Sequence, residues 1–162
     1  MKKIYCILST IFLSFLSCNG TPEPIINTTG VSLDLAQYRV EQVSHVVYDL
    51  SFLIPEQKEQ PITSKLKLTA TVTDLTNPLY LDFKEDSKNL QYLSANGQVV
   101  DIQHELEHLI IPQRHLVIGQ NQITIDFIAG DLSLNRNDDY LYTLLVPDRA
   151  RTLFPCFDQP NI

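Results

Sequence analysis

The chain is short of several things: among 162 residues there is no Trp, one Met, three Cys and five Gly, and 12 Lys+Arg stand against 19 Asp+Glu for a formal net charge of -7. Each shortage excludes a class. So few basic residues, with acidic ones spread along the chain, argue against the phosphate-binding groove of clustered Lys and Arg that nucleic acid needs, which sets nucleic acid aside as a partner. Few Gly alongside 9 Pro and 19% charged residues matches neither a collagenous nor a disordered composition. At roughly 100 to 200 residues per domain the length allows one domain with an ordinary core, not a large multidomain enzyme. Long apolar runs are missing too. The uncharged stretch Ile4 to Leu16 is too short for a membrane-crossing helix, which needs about 20 residues.

That stretch follows Met1-Lys2-Lys3 and precedes Ser17-Cys18, the layout of an export signal. Cys18, directly after a small residue and before polar Asn19-Gly20-Thr21, resembles the lipidated cysteine of a bacterial lipoprotein. Residues 1–17 then form the signal peptide and Cys18 the lipidation site, and the protein is a membrane-anchored lipoprotein of the bacterial cell envelope. Phe15 stands where that signal usually has Leu, so plain secretion is the alternative. Processing removes Cys6 and acylation consumes Cys18, leaving Cys156 as the remaining thiol, so no internal disulfide is available in an oxidising compartment. Residues 18–31, with Pro22, Pro24 and Gly30, read as a tether. Asn19 and Asn27 match glycosylation acceptors, but behind a bacterial signal they belong to that polar tether.

From residue 32 onward the pattern is that of a folded domain. Ser32 is placed to cap a short helix with Leu33, Ala36 and Val40 on one face. The period then changes to two. Val46, Tyr48, Leu50, Phe52 and Ile54 alternate with Asp49 and Ser51 up to Pro55; Ile62, Leu66, Leu68, Ala70 and Val72 alternate with Thr and Lys; Leu79, Leu81 and Phe83 continue. Asn96-Gly97 marks a hairpin between 90–95 and 98–103. Further strands are expected near 107–111 and 115–118, and Gly119-Gln120-Asn121 turns the chain into Ile123, Ile125 and Phe127. The fold class is all-β, an antiparallel sandwich or saddle-like pair of sheets.

His104-Glu105-Leu106-Glu107-His108 satisfies the H-E-x-x-H pattern of zinc peptidases. That chemistry needs a helix, where histidines four apart share a face and a glutamate activates water. In an extended chain the two Cα atoms would lie ~13 Å apart with the glutamate opposite. Val99-Val100-Asp101-Ile102 before the motif and Leu109-Ile110-Ile111-Pro112 after it favour a strand. Glu107 is the last glutamate of the chain, and Asp126 is a poor third ligand. The pattern reads as a chance match on a solvated strand edge. His45 and His115 fall inside strand patterns as structural residues. No metal ligand and no catalytic residue is assigned.

The end of the chain is distinctive. Asn135 to Thr143 contains Tyr140-Leu141-Tyr142, Pro147-Asp148-Arg149-Ala150-Arg151 follows, and the chain closes on Phe154-Pro155-Cys156-Phe157-Asp158-Gln159-Pro160. This run, with Val46-Val47-Tyr48-Asp49-Leu50 and Gly119-Gln120-Asn121 earlier, resembles the amino-terminal domain of the aminopeptidase N family of zinc metallopeptidases, over roughly residues 40–162. The resemblance implies a saddle-like β domain, residues 32–162 here, that packs against a catalytic domain and walls its cleft. In that family zinc and the Gly-[Ala/Ser]-Met-Glu-Asn segment for the substrate's amino terminus belong to the catalytic domain. With Met1 as the lone methionine, that segment is absent here. Relatives carry a substrate-contacting Gln after the Thr equivalent to Thr143; Leu144 stands there, and Val146 two positions on. The implied chain is therefore inactive by itself, holds no cofactor, and has as partners a missing catalytic domain of the same protein and, through its lipid, the membrane. Apart from the family, Arg151, Phe154, Pro155, Phe157 and Asp158 are expected at a domain interface, since two aromatics flanking Pro155 and a thiol form an apolar cluster wanting a partner surface. Asp158 either caps or pairs with Arg151, or serves as a turn residue before Pro160. Cys156, with no base beside it, reads as a buried small hydrophobe. The competing expectation is an autonomous envelope binding module that holds a partner on its β face.

Overall fold

The computed structural model describes residues 25, 26 and 28–160; the signal peptide, Cys18 and most of the tether lie outside them. Helix α1 (Leu33–Gln42) starts as the sequence indicates, with the Ser32 hydroxyl accepting the Leu35 N–H at 3.1 Å and so satisfying one of the free first-turn donors. Its buried face is different from the expected one. Leu33 and Val40 are 71% and 46% exposed, and the chain buries Leu35, Arg39 and Gln42 instead. Two of those three are polar, so hydropathy points at the wrong stripe.

Ten strands follow among the described residues: β1 (Val43–Leu53), β2 (Thr63–Val72), β3 (Leu79–Asp82), β4 (Leu90–Ala95), β5 (Gln98–Val99), β6 (Gln103–Glu105), β7 (His108–Ile111), β8 (Gly119–Ile128), β9 (Leu134–Arg136) and β10 (Leu141–Thr143). They form an antiparallel sheet in the order β1-β2-β8-β4-β5, a second in the order β3-β7-β6 and a β9-β10 pair. The all-β reading therefore holds. The alternation in β2 is reproduced residue by residue, with Leu66, Leu68, Ala70 and Val72 buried and Lys65 and Lys67 in solvent. Together with Ile123, Ile125 and Phe127 of β8, this inner face meets Leu79, Leu81, Leu109 and Ile111 of the second sheet in one hydrophobic core. Burying a large aliphatic or aromatic side chain contributes about 1.5–3 kcal/mol. A core of this size therefore supplies the stability that a disulfide would otherwise add.

Asn96 and Gly97 both take left-handed backbone, φ 52° and 80°, as a two-residue hairpin turn requires. The strand expected at 115–118 is not there. A 3-10 turn occupies Gln113–His115, and the Asn121 amide accepts from the Val117 N–H (2.9 Å) and donates to the Val117 and Gly119 carbonyls (2.7 and 2.9 Å). An asparagine side chain thus takes the place of a strand partner, and Gly119 to Asn121 become the first residues of β8 rather than a turn. His115 ends the 3-10 turn. His45, at φ 52°, sits at the bulge where β1 shifts register against β2.

Candidate functional site

The H-E-x-x-H residues lie on a hairpin. Leu106 and Glu107, at φ 51° and 68°, form the two-residue turn between β6 and β7, and Glu105 pairs with His108. His104 is paired one step further with Leu109, so successive positions place the two imidazoles on opposite faces of the hairpin. His104 Nε2 lies 2.8 Å from the Phe83 carbonyl, and His108 Nδ1 lies 2.8 Å from Asp82 Oδ1. The two histidines do not fit a shared zinc. Among the described residues no three His, Cys, Asp or Glu side chains come together in a metal-holding group. The solvated-edge expectation needs correcting on one point, because His108 is fully buried.

Asp82 is the hub of what buries it. Arg39 Nη1 and Nη2 donate to its two carboxylate oxygens at 2.8 and 2.6 Å, and Nη2 also reaches the Tyr80 carbonyl at 2.7 Å. Both side chains of this ion pair have no exposed surface. The fork geometry of guanidinium on carboxylate makes such a pair strong and directional. Burial by itself would raise the Asp82 carboxyl. The hydrogen bonds from His108 and Arg39, the Arg39 charge and the Asp158 N–H outweigh it and hold the group below its ordinary value.

The expected interface residues close onto this hub from the far end of the chain. Cys156 and Asp82 exchange backbone hydrogen bonds (2.7 and 3.0 Å), and the Asp158 N–H donates to Asp82 Oδ2 at 2.9 Å. The Phe157 N–H donates to the Tyr48 hydroxyl at 2.9 Å, while its ring lies under the Arg39 guanidinium, 5.4 Å from ring centroid to Cζ. Gln159 donates to the Ala36 carbonyl at 3.1 Å. Phe154 packs edge-on against Tyr48 with centroids 6.2 Å apart. Residues 154–159 are thus a strap that staples α1, β1 and β3 together. Pro155, Cys156 and Phe157 are buried by the chain's own elements, and Phe154 is partly covered. Burial, then the Asp158 and Asp82 carboxylates, push the Cys156 thiol well above its ordinary value, leaving a small hydrophobe rather than a nucleophile.

Asp158 meets Arg151, accepting its backbone N–H at 3.3 Å and lying 4.0 Å from its guanidinium. Burial raises its carboxyl above the ordinary value. One exposed apolar row lies elsewhere, at the even-numbered positions Tyr140, Tyr142, Leu144 and Val146, between 47% and 78% exposed. The two tyrosine rings stack with centroids 6.0 Å apart.

Of the hub residues, Arg39 and Asp82 were not singled out by the sequence, and Tyr48 stood out only as a residue of its strand. One signal was present: an aspartate inside the run Leu79 to Phe83 cannot be buried without a cation.

No family model matches the sequence, and no curated protein matches it. Solved structures do. Leukotriene A4 hydrolase from Saccharomyces cerevisiae aligns over 74% of this chain and 22% of its own, with a TM-score of 0.63 and 20% identity. An M1 zinc metallopeptidase from Deinococcus radiodurans bound to a Tyr-Ser-Ala substrate aligns over 74% and 30%, with a TM-score of 0.55 and 18% identity. A two-domain M1 zinc metallopeptidase bound to L-tryptophan gives the same shares, with a TM-score of 0.56 and 19% identity. The chain shares its fold with part of these metallopeptidases and spans 22–30% of their length.

Proposed function

We propose that the chain is the amino-terminal, non-catalytic β domain of an aminopeptidase N-type zinc metallopeptidase, held at a bacterial membrane by lipid on Cys18. In this reading it packs against a catalytic domain outside the sequence and walls the cleft in which amino-terminal residues are removed from peptides. The observation that carries it is the coincidence of two independent matches: the Phe-Pro-Cys-Phe-Asp-Gln-Pro run, and a fold shared with M1 metallopeptidases over 74% of the chain. The exposed row Tyr140, Tyr142, Leu144 and Val146 supports a packing role, since large apolar side chains in solvent are usual at faces that meet another protein.

Zinc would reach the reaction only from the catalytic domain, where it would activate water and polarise the scissile carbonyl; the residues here do not fit it, and no step passes through them. The test is an aminoacyl-anilide assay with zinc analysis on the purified chain. We expect neither turnover nor stoichiometric zinc; hydrolysis with one bound zinc defeats the reading. Sequencing the DNA beyond the codon for Ile162 is the second arm. A frame continuing into Gly-[Ala/Ser]-Met-Glu-Asn and H-E-x-x-H supports it, and a stop with no such frame nearby defeats it. For the anchor, Cys18→Ser should move the protein from the membrane to the soluble fraction.

A second reading, an autonomous envelope binding module, is favoured by the self-coverage of Pro155 and Phe157. A soluble monomer of the isolated chain would support it.

A further inference from the structure

In a chain with a net charge of -7, three of the 12 basic residues line one cavity. It has a volume of about 290 Å³ and lies between Lys84, just after β3, Leu132 and Ser133, ahead of β9, and Asp148, Arg149, Arg151 and Thr152 around the last 3-10 turn (Ala150–Thr152). Asp148 is its one carboxylate.

What separates these cations from the other buried or folded arginines is that their donors are unspent. Arg39 is consumed by Asp82 and the Tyr80 carbonyl, and Arg136 by the carbonyls of Pro55, Gln57, Lys58 and Gln60. Arg149 makes no side-chain hydrogen bond or ion pair among the described residues. Arg151 is 14% exposed, yet its carboxylate neighbours Glu107, Asp148 and Asp158 stand 3.8, 3.9 and 4.0 Å away, and its Nε is buried without a hydrogen-bond partner. Lys84 lies 3.6 Å from Glu107. All four separations exceed hydrogen-bond length. The carboxylates therefore offset charge without occupying the N–H groups. Buried donors left unmade are costly, and they are expected to have a partner. The Ser133 and Thr152 hydroxyls, 2.7 Å apart and both nearly buried, add polar groups to the same wall.

We infer that this cavity is a binding site for a small oxyanion, a phosphate or a compact polycarboxylate. Its volume is at the small end of ligand sites, and guanidinium forks and an ammonium are the donors that the oxygens of such groups pair with. The site is separate from the proposed packing role and stands or falls without it.

The experiment titrates inorganic phosphate, and separately citrate, into the full chain by calorimetry and by thermal melting at constant ionic strength, with chloride as control. Saturable one-to-one binding of either anion, with a melting temperature that rises with its concentration and not with chloride, is expected. Arg149→Gln, at a side chain with no hydrogen bond or ion pair among the described residues, should melt normally in chloride and bind about tenfold to hundredfold more weakly, the loss expected for a charged hydrogen bond. Lys65→Gln, on the wet face of β2, should bind as the parent does. Binding of neither anion, stabilisation by chloride equal to that by phosphate, or unchanged affinity in Arg149→Gln each overturns the site.

Discussion

At the scale of single residues the molecule depends on Asp82. Replacing it with Asn removes the charge that Arg39 faces with no water at hand, and breaking one half of a buried ion pair costs about 3–5 kcal/mol. Asp82→Asn should therefore lower the urea midpoint sharply, and a midpoint within error of the parent would contradict the hub. The pH dependence follows from the direction of its shift. Because the folded carboxyl is held below its ordinary value, its contribution is complete above the unfolded pKa of about 4 and is lost as pH falls through that range toward the lower folded value. Glu85 and Asp158 are raised by burial, Glu85 also by the charge of Asp131, and they act in the opposite sense. The difference between parent and Asp82→Asn isolates the hub: it should stay level in melts run from pH 7 to about pH 5 and shrink only below that, toward pH 3. Gly130 is a second sensitive point. A Cβ there would overlap the Thr152 carbonyl oxygen and the Glu85 carboxylate. Overpacking of that kind costs roughly 1–3 kcal/mol, so Gly130→Ala should melt measurably lower, whereas Gly97→Ala meets no neighbouring atom and carries a backbone penalty alone.

At the scale of elements, what could be read depended on whether burial was apolar. The alternation in β2 and β8 and the Asn-Gly turn were legible because water and core face opposite sides of a strand. Helix α1 was legible in its cap but not in its face, since its inner stripe holds Arg39 and Gln42. The β6-β7 turn gave no composition signal because Leu106 and Glu107 adopt left-handed backbone without Gly or Asn. L-residues pay roughly 1–2 kcal/mol for that geometry. Leu106→Asn should accordingly raise stability by about 1 kcal/mol in chemical denaturation; a fall would mean that the 43%-exposed Leu106 side chain carries packing that outweighs the turn. Ser32→Ala should lower it by about 1 kcal/mol through the lost cap.

At the scale of the whole molecule, the closing run was distinctive as a string of residues, while its place beneath α1 was invisible. Arg151, Phe154, Pro155, Phe157 and Asp158 were marked by their run, but that the run would be folded under α1 depended on partners up to 123 positions away. No local pattern reports such a separation. The staple also bears on how the protein is made. Contacts between residues 36–39 and 157–159 join nearly the first and the last parts of the described chain, so residues 36–159 must all be free to fold before Arg39 finds Phe157 and Gln159. Until then a guanidinium meant for the interior has Asp82 but no lid, and the nascent domain waits open to chaperones and proteases. Arrival of residues 157–159 against α1 closes the hub that the sheets by themselves leave open.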